Sequence, residues 1–190
     1  MKKLCLCLVL LLLLSGCGSR SLDPETAALA DSSDAVCRVS IVDIFDEADE
    51  TGAAVGSILY CRVLTDYLGS LTERGTELES YDRQFIFLRV SGEWRQEFYA
   101  WRRDPESAGK AMNLLVFLNA TEERREWISP WKDGVSGEFM VFVPNGEAGL
   151  RWEPADREGL RYLEALRAYG KAHPRAPLGD WICWTGWITF

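Results

Sequence analysis

Histidine is nearly missing: His173 is the sole imidazole in the 190 residues. Any Ser-His-acid or Cys-His relay would have to pass through it, and no G-x-S-x-G elbow presents a nucleophile. His173 precedes Pro174 beyond a helical stretch, a setting that predicts an exposed loop. The cysteine spacing gives neither a zinc set nor a C-x-x-C redox pair, and no motif calls for a cofactor. Positive charge is short too, with 21 Lys and Arg against 29 Asp and Glu and a net charge of −8. That balance argues against nucleic acid, whose phosphates demand a basic footprint, and against a polybasic membrane patch. Long apolar runs are absent after the first, Leu4 to Leu14, which falls short of the roughly 20 residues needed to span a bilayer.

What surrounds that run is an address. Lys2 and Lys3 precede it, and Ser15, Gly16 and Cys17 follow, the layout of a secretory signal peptide over residues 1–16. The exit Leu14-Ser15-Gly16-Cys17 resembles the lipobox of bacterial lipoproteins. The resemblance implies cleavage before Cys17, diacylation of its sulfur with fatty acid and acylation of the new amine. Two or more chains give stable anchoring where one does not. An ordinary signal peptide with a chance cysteine, or a buried N-terminal helix, is the alternative. Gly18 stands where an Asp often retains such lipoproteins at an inner membrane. The expected location is therefore the bacterial cell envelope, at the periplasmic face of the outer membrane in a Gram-negative cell. The mature chain would lose two bases and no acid.

Residues 17–35 are small and polar and read as a lipidated flexible linker, within which a short helix over 24–30 would leave the role unchanged. Residues 36–190 then form a single soluble β-rich domain. Strands are expected over Val36–Phe45, Ser57–Leu68, Phe85–Val90, Trp94–Trp101, Asn113–Asn119, Gly137–Val143 and Trp181–Phe190. Ser91-Gly92-Glu93 reads as a hairpin link between two of them. One segment has helical period: Leu160, Leu163, Leu166 and Tyr169 share a face over Asp156–Gly170, with Asp156 as N-cap and Gly170 as terminator. The expected fold class is mainly β (α+β), a small antiparallel barrel or sandwich with one amphipathic helix near the C-terminus.

Val63-Leu64, Gly69, Leu71 and Gly75, followed by Leu114-Leu115-Val116-Phe117-Leu118, resemble a pattern in exported bacterial β-domains of the OB or netrin-like barrel class. The likeness covers residues 57–143, with Leu68 where a Lys is usual. It implies a barrel and brings no catalytic residues with it.

Cys37, Cys61 and Cys183 remain beyond the leader. An exported chain can oxidise a pair, and Cys37 with Cys183 is the candidate disulfide, clamping the ends of the domain. Asp43, Asp46, Glu47, Asp49 and Glu50 read as a solvated acidic loop, with a calcium site as the less favoured reading. Eight tryptophans are many for this length. On an extended C-terminal strand Trp181 and Trp187 share one face, a candidate platform for sugar rings or an extended peptide. The preferred alternative has the helix cover that face, making the indoles a second core layer. Function is expected to be non-catalytic binding or structural interaction in the envelope, with a glycan or protein partner and no metal. An envelope carbohydrate- or peptide-processing enzyme, using acids beside exposed tryptophans, is the alternative.

Overall fold

The computed structural model describes residues 21–48, 50–71, 85–91, 94–107, 110–128, 136–178 and 182–184. In chain order these form α1 (Pro24–Asp31), β1 (Ala35–Ala48), β2 (Ala54–Asp66), β3 (Phe85–Val90), α2 (Trp94–Arg103), β4 (Asn113–Ile128) and β5 (Ser136–Pro144). A 3-10 turn (Glu147–Gly149), β6 (Leu150–Trp152), α3 (Arg157–Ala172) and β7 (Ile182–Trp184) complete the order.

The sheet closes on itself. β1 pairs antiparallel with β2 and β4, β2 with β3, and β4 with β5. The ring shuts where β3 meets β5 in parallel at Phe87↔Val141 and Leu88↔Phe142. β6 and β7 flank it, on β4 and β5 respectively. The α+β class expected is the one observed, and of the barrel or sandwich expected the near-closed ring is a barrel, although the sheet is mixed rather than antiparallel and carries three helices rather than one.

Alternation along the strands builds the interior. Leu59, Cys61 and Val63 of β2 and Ile86, Leu88 and Val90 of β3 point into the barrel, all at most 4% exposed. Each such aliphatic side chain contributes about 1.5–3 kcal/mol by leaving water. Phe98 of α2 belongs to the same cluster at 2% exposure. A second core lies on the opposite side of β1 and β4, where Val36, Leu115 and Phe117 meet Leu22 and Ala30 of the α1 segment and Leu163 and Leu166 of α3.

Several expectations are corrected here. Trp94–Trp101 is helix rather than a hairpin strand, because Trp94, Phe98 and Trp101 recur at i, i+4 and i+7 and line one side of α2. The folded body starts at Leu22 rather than Val36, since Leu22, Thr26, Ala30 and Ser33 are buried and Asp23 caps α1 through the Thr26 amide. Residues 22–33 are thus part of the domain and not linker. In α3 the buried stripe is Gly159, Leu163, Leu166 and Gly170, while Leu160 is 54% exposed. Gly170 does not end that helix. It lies inside α3, and a Cβ there would sit 1.8 Å from the Tyr67 carbonyl oxygen. His173 is the C-cap.

The Gly69–Leu71 motif has a local cause. The Asp66 carboxylate accepts from the amides of Leu68 (3.2 Å), Gly69 (3.0 Å) and Leu71 (2.7 Å). That wrap needs a left-handed residue, supplied by Gly69 at φ 74°. It delivers Leu71 into the barrel core at 4% exposure. The segment after α3 then bonds onto this loop, with Arg175 N–H donating to Leu68 O and Leu178 N–H to Ser70 O, both at 2.9 Å.

Cys37 is a free, fully buried thiol, as is Cys61. The proposed Cys37–Cys183 bridge does not fit the ladders. Cys37 lies opposite Val116 on β4, whereas Cys183 lies opposite Glu138, itself opposite Glu126. Val116 and Glu126 are separated along β4 by on the order of 30 Å of strand, against the roughly 7 Å that a disulfide tolerates between Cα atoms.

Candidate binding site

The outward positions of β2, β3 and β5 carry a third apolar cluster, with Ile58 and Tyr60, Phe87, and Phe139 at its centre. Tyr60 stacks on Phe85 at 4.9 Å and lies 5.2 Å from Phe87, which meets Phe139 edge-on at 5.1 Å. Tyr60, Phe87 and Phe139 are all at most 4% exposed. Burial pushes the Tyr60 phenol above its usual range.

Arg89 follows Phe87 on the same face of β3, and opposite charges gather around it. Its guanidinium grips Glu47 of β1 with two bonds of 2.8 Å and reaches Glu123 of β4 at 2.8 Å. Arg125 closes the ring, donating to Glu47 and to Glu123. Three strands therefore meet in one four-residue ionic network. The Arg125 and Arg89 guanidiniums hold the Glu123 carboxyl below the usual carboxylate range. Glu123 stays ionised at neutral pH, the reverse of what a proton-donating acid requires.

The parallel seam between β3 and β5 holds two registered pairs, and beside it opens a cleft of about 400 Å³. Arg89, Ser91, Trp94, Glu147 and Leu150 line it. The Trp94 indole is fixed by its Nε1–H bond to Ser91 O (3.1 Å). Trp152 of β6 packs on Trp94 at 5.8 Å and leaves 53% of its own surface exposed. A cleft of this size with aromatic faces and a few polar groups is the usual form of a small-ligand site. A second cleft of about 490 Å³ lies farther along α2, against β1, with Ser107 and Lys110, Ala111 and Met112 in its lining.

Of the residues singled out from the sequence, Cys17, Trp181, Trp187 and Asp49 lie outside the described residues. Only the backbone of Cys183 is described, in β7. Asp43, Asp46 and Glu47 of the acidic run lie in the end of β1 rather than in a loop, and Glu50 is in the turn beyond it. Asp43 accepts from the Tyr99 hydroxyl (3.2 Å) and the Ile44 amide (2.9 Å), Asp46 pairs with Arg95, and Glu47 joins the ionic network. These acids are spread among different partners, and among the described residues no group of three His, Cys, Asp or Glu converges as metal ligands. His173 is exposed and stacks on Tyr169 at 4.2 Å. Arg89, Trp94 and Trp152 carry the site, and sequence reading passed over all three. Arg89 as the outward charge in FIFLRV, and the i, i+7 indoles of α2, were the available signals.

Comparisons with protein-family models, with curated proteins and with solved structures return no match.

Proposed function

We propose that this chain is a lipid-anchored protein of the bacterial cell envelope whose barrel binds glycan at the β3–β5 seam. The anchor reading rests on the lipobox-like Leu14-Ser15-Gly16-Cys17. Among the described residues no helix is long and apolar enough to cross a membrane. The barrel reading is supported by the ring order β1-β2-β3-β5-β4, consistent with the OB or netrin-like resemblance. Barrels of the OB class hold oligonucleotides or oligosaccharides on their β2–β3 face and adjoining loops. A chain of net charge −8 repels the first and is indifferent to the second.

The observation that carries the glycan reading is the Trp94–Trp152 pair beside the seam cleft. An indole face takes the C–H face of a sugar ring. Arg89, Ser91 and Glu147 supply the donors and acceptors that fix hydroxyls around it.

The test is co-sedimentation with purified peptidoglycan and a panel of envelope glycans. The intact chain is expected to bind at least one, and Trp152→Ala to weaken that binding about tenfold, with unchanged circular dichroism. Failure to bind any glycan, or equal binding by Trp152→Ala, refutes the assignment. The anchor is tested separately by labelled palmitate, which should enter the wild type and not Cys17→Ala.

A further inference from the structure

The second cleft differs in chemistry from the seam. Phe98, Trp101, Ile41 and Met112 give it apolar and aromatic surface, and its charged lining residues are Arg102 and Lys110. Among the described residues no carboxylate lines it, although acids outnumber bases across the chain. Arg102 lies over the Phe98 ring, 5.5 Å from its centroid, so the cation stands directly above the aromatic surface. Ser40 and Ser107 belong to the same lining. Of the acids beside Ser107 in the chain, Glu106 is outside the lining and Asp104 is turned to its own turn, accepting from the Glu106 amide and the Ser107 hydroxyl.

We infer that this cleft is a binding site for a small amphiphilic anion, a carboxylate or phosphomonoester carried on an aromatic or apolar body. The body lies against Trp101 and Phe98, and the anion pairs with Arg102 and Lys110. The charges matter because the site is walled on one side by low-dielectric core, where attraction between ions exceeds its value in open water. An anionic head selects this cleft over the seam, where Glu147 stands in the lining. The volume of about 490 Å³ lies in the usual range for a small-ligand pocket. This inference is independent of glycan binding, since the two clefts share no lining residue.

Met112 lines the cleft, Met140 sits on β5 and Met1 is the third methionine, so methyl-labelled methionine reports on this site by itself. The full-length chain, in nanodiscs of zwitterionic phosphatidylcholine, is titrated with 2-naphthoate, 2-naphthyl phosphate and the neutral 2-naphthylmethanol. The Met112 methyl resonance should shift and saturate with one or both anions while Met140 stays still. The alcohol should bind about tenfold more weakly or worse, and Arg102→Ala with Lys110→Ala should weaken anion binding to a similar degree. Whichever anion binds more tightly names the head group. A still Met112, equal binding of the alcohol, or unchanged affinity in the folded double variant overturns the inference.

Discussion

Asp66 holds the loop after β2 through a single side chain. Its carboxylate is 8% exposed and serves three amides, of Leu68, Gly69 and Leu71, all in buried residues. A hydrogen bond to a charged acceptor contributes about 1.5–3 kcal/mol, and leaving a buried donor unpaired costs about 1–3 kcal/mol. Asp66→Asn keeps one carbonyl oxygen for Leu68 and Gly69 but turns an NH2 toward the Leu71 amide, at present the shortest of the three bonds. One strong bond is lost, so we expect a cost of about 2 kcal/mol. Asp66→Ala removes both acceptor oxygens and with them all three bonds, and water entering the vacated space can recover only part, giving about 3–5 kcal/mol. Urea unfolding followed by circular dichroism should rank wild type above Asn above Ala. Amide exchange at Leu71 should accelerate in both variants. If Asn and Ala prove equal, or if either lies within about 0.5 kcal/mol of wild type, the carboxylate is not the organiser of this loop.

Gly170→Ala gains about 1 kcal/mol of helix propensity, but its Cβ would collide with the Tyr67 carbonyl. Overpacking at the upper end costs about 3 kcal/mol, so the net loss should be about 2 kcal/mol, or about 4–8 °C in Tm. Leu160→Ala on the exposed side of α3 should shift stability by less than about 0.5 kcal/mol, and a Gly170→Ala chain as stable as wild type would contradict the packing. Burial raises the pKa of both Cys37 and Cys61, so iodoacetamide at pH 8 should modify them only after denaturation, as peptide mass mapping will show; native labelling of either would refute their burial. Glu123 has a folded pKa below its ordinary value of 4.5, so its contribution is full above that pH and is lost as pH falls through the folded value. Its partners are a third exposed, which limits the effect to about 1 kcal/mol or less. Glu123→Gln should flatten stability against pH below 4.5 by that much, and an unchanged acid limb would remove the pairing from the account.

The ring strands were readable because each has a local signature. Val36–Phe45 and Phe85–Val90 are short runs rich in β-branched and aromatic residues, as strands buried on both faces are, and Phe85–Val90 is β3 to the residue. The apolar start of β4 was equally plain, yet the strand runs on to Ile128 through TEERREWI. There the outward charges Glu123 and Arg125 serve partners on other strands, which no local pattern announces. α2 was misread because its Trp, Phe and Tyr also favour strands and a Gly-containing link preceded them. The Arg89 network joins positions 47, 89, 123 and 125, and the seam exists only because β3 and β5 close in parallel. Both are products of topology, and a single sequence carries no direct signal for either.

Placing α1 inside the folded body also changes how the anchor would act. If Cys17 bears the lipid, the chain from Cys17 to Leu22 can span at most about 18 Å between anchor and folded body. α1 adds about 12 Å of rigid helix and ends at Ser32 and Ser33, whose hydroxyls accept from the Asn145 amide. Asn145 lies between Pro144 and Gly146, both of which line the seam cleft. With such an anchor the route from bilayer to cleft would be short and would end in a helix locked at both ends. At its start the Asp23 carboxylate caps the Thr26 amide, and at its finish Arg175 donates to the carbonyls of Ala30 and Asp31. A cleft held this way samples a shell of only a few tens of ångströms from the membrane, which favours a partner fixed in or beside that layer over one diffusing through the envelope. Inserting a flexible Gly-Ser segment of 20 residues after Cys17 adds about 25 Å of root-mean-square reach without touching the cleft. It should leave glycan affinity in solution unchanged while lowering co-purification with the membrane-proximal wall layer, and a tether-length series with flat recovery would show that proximity plays no part.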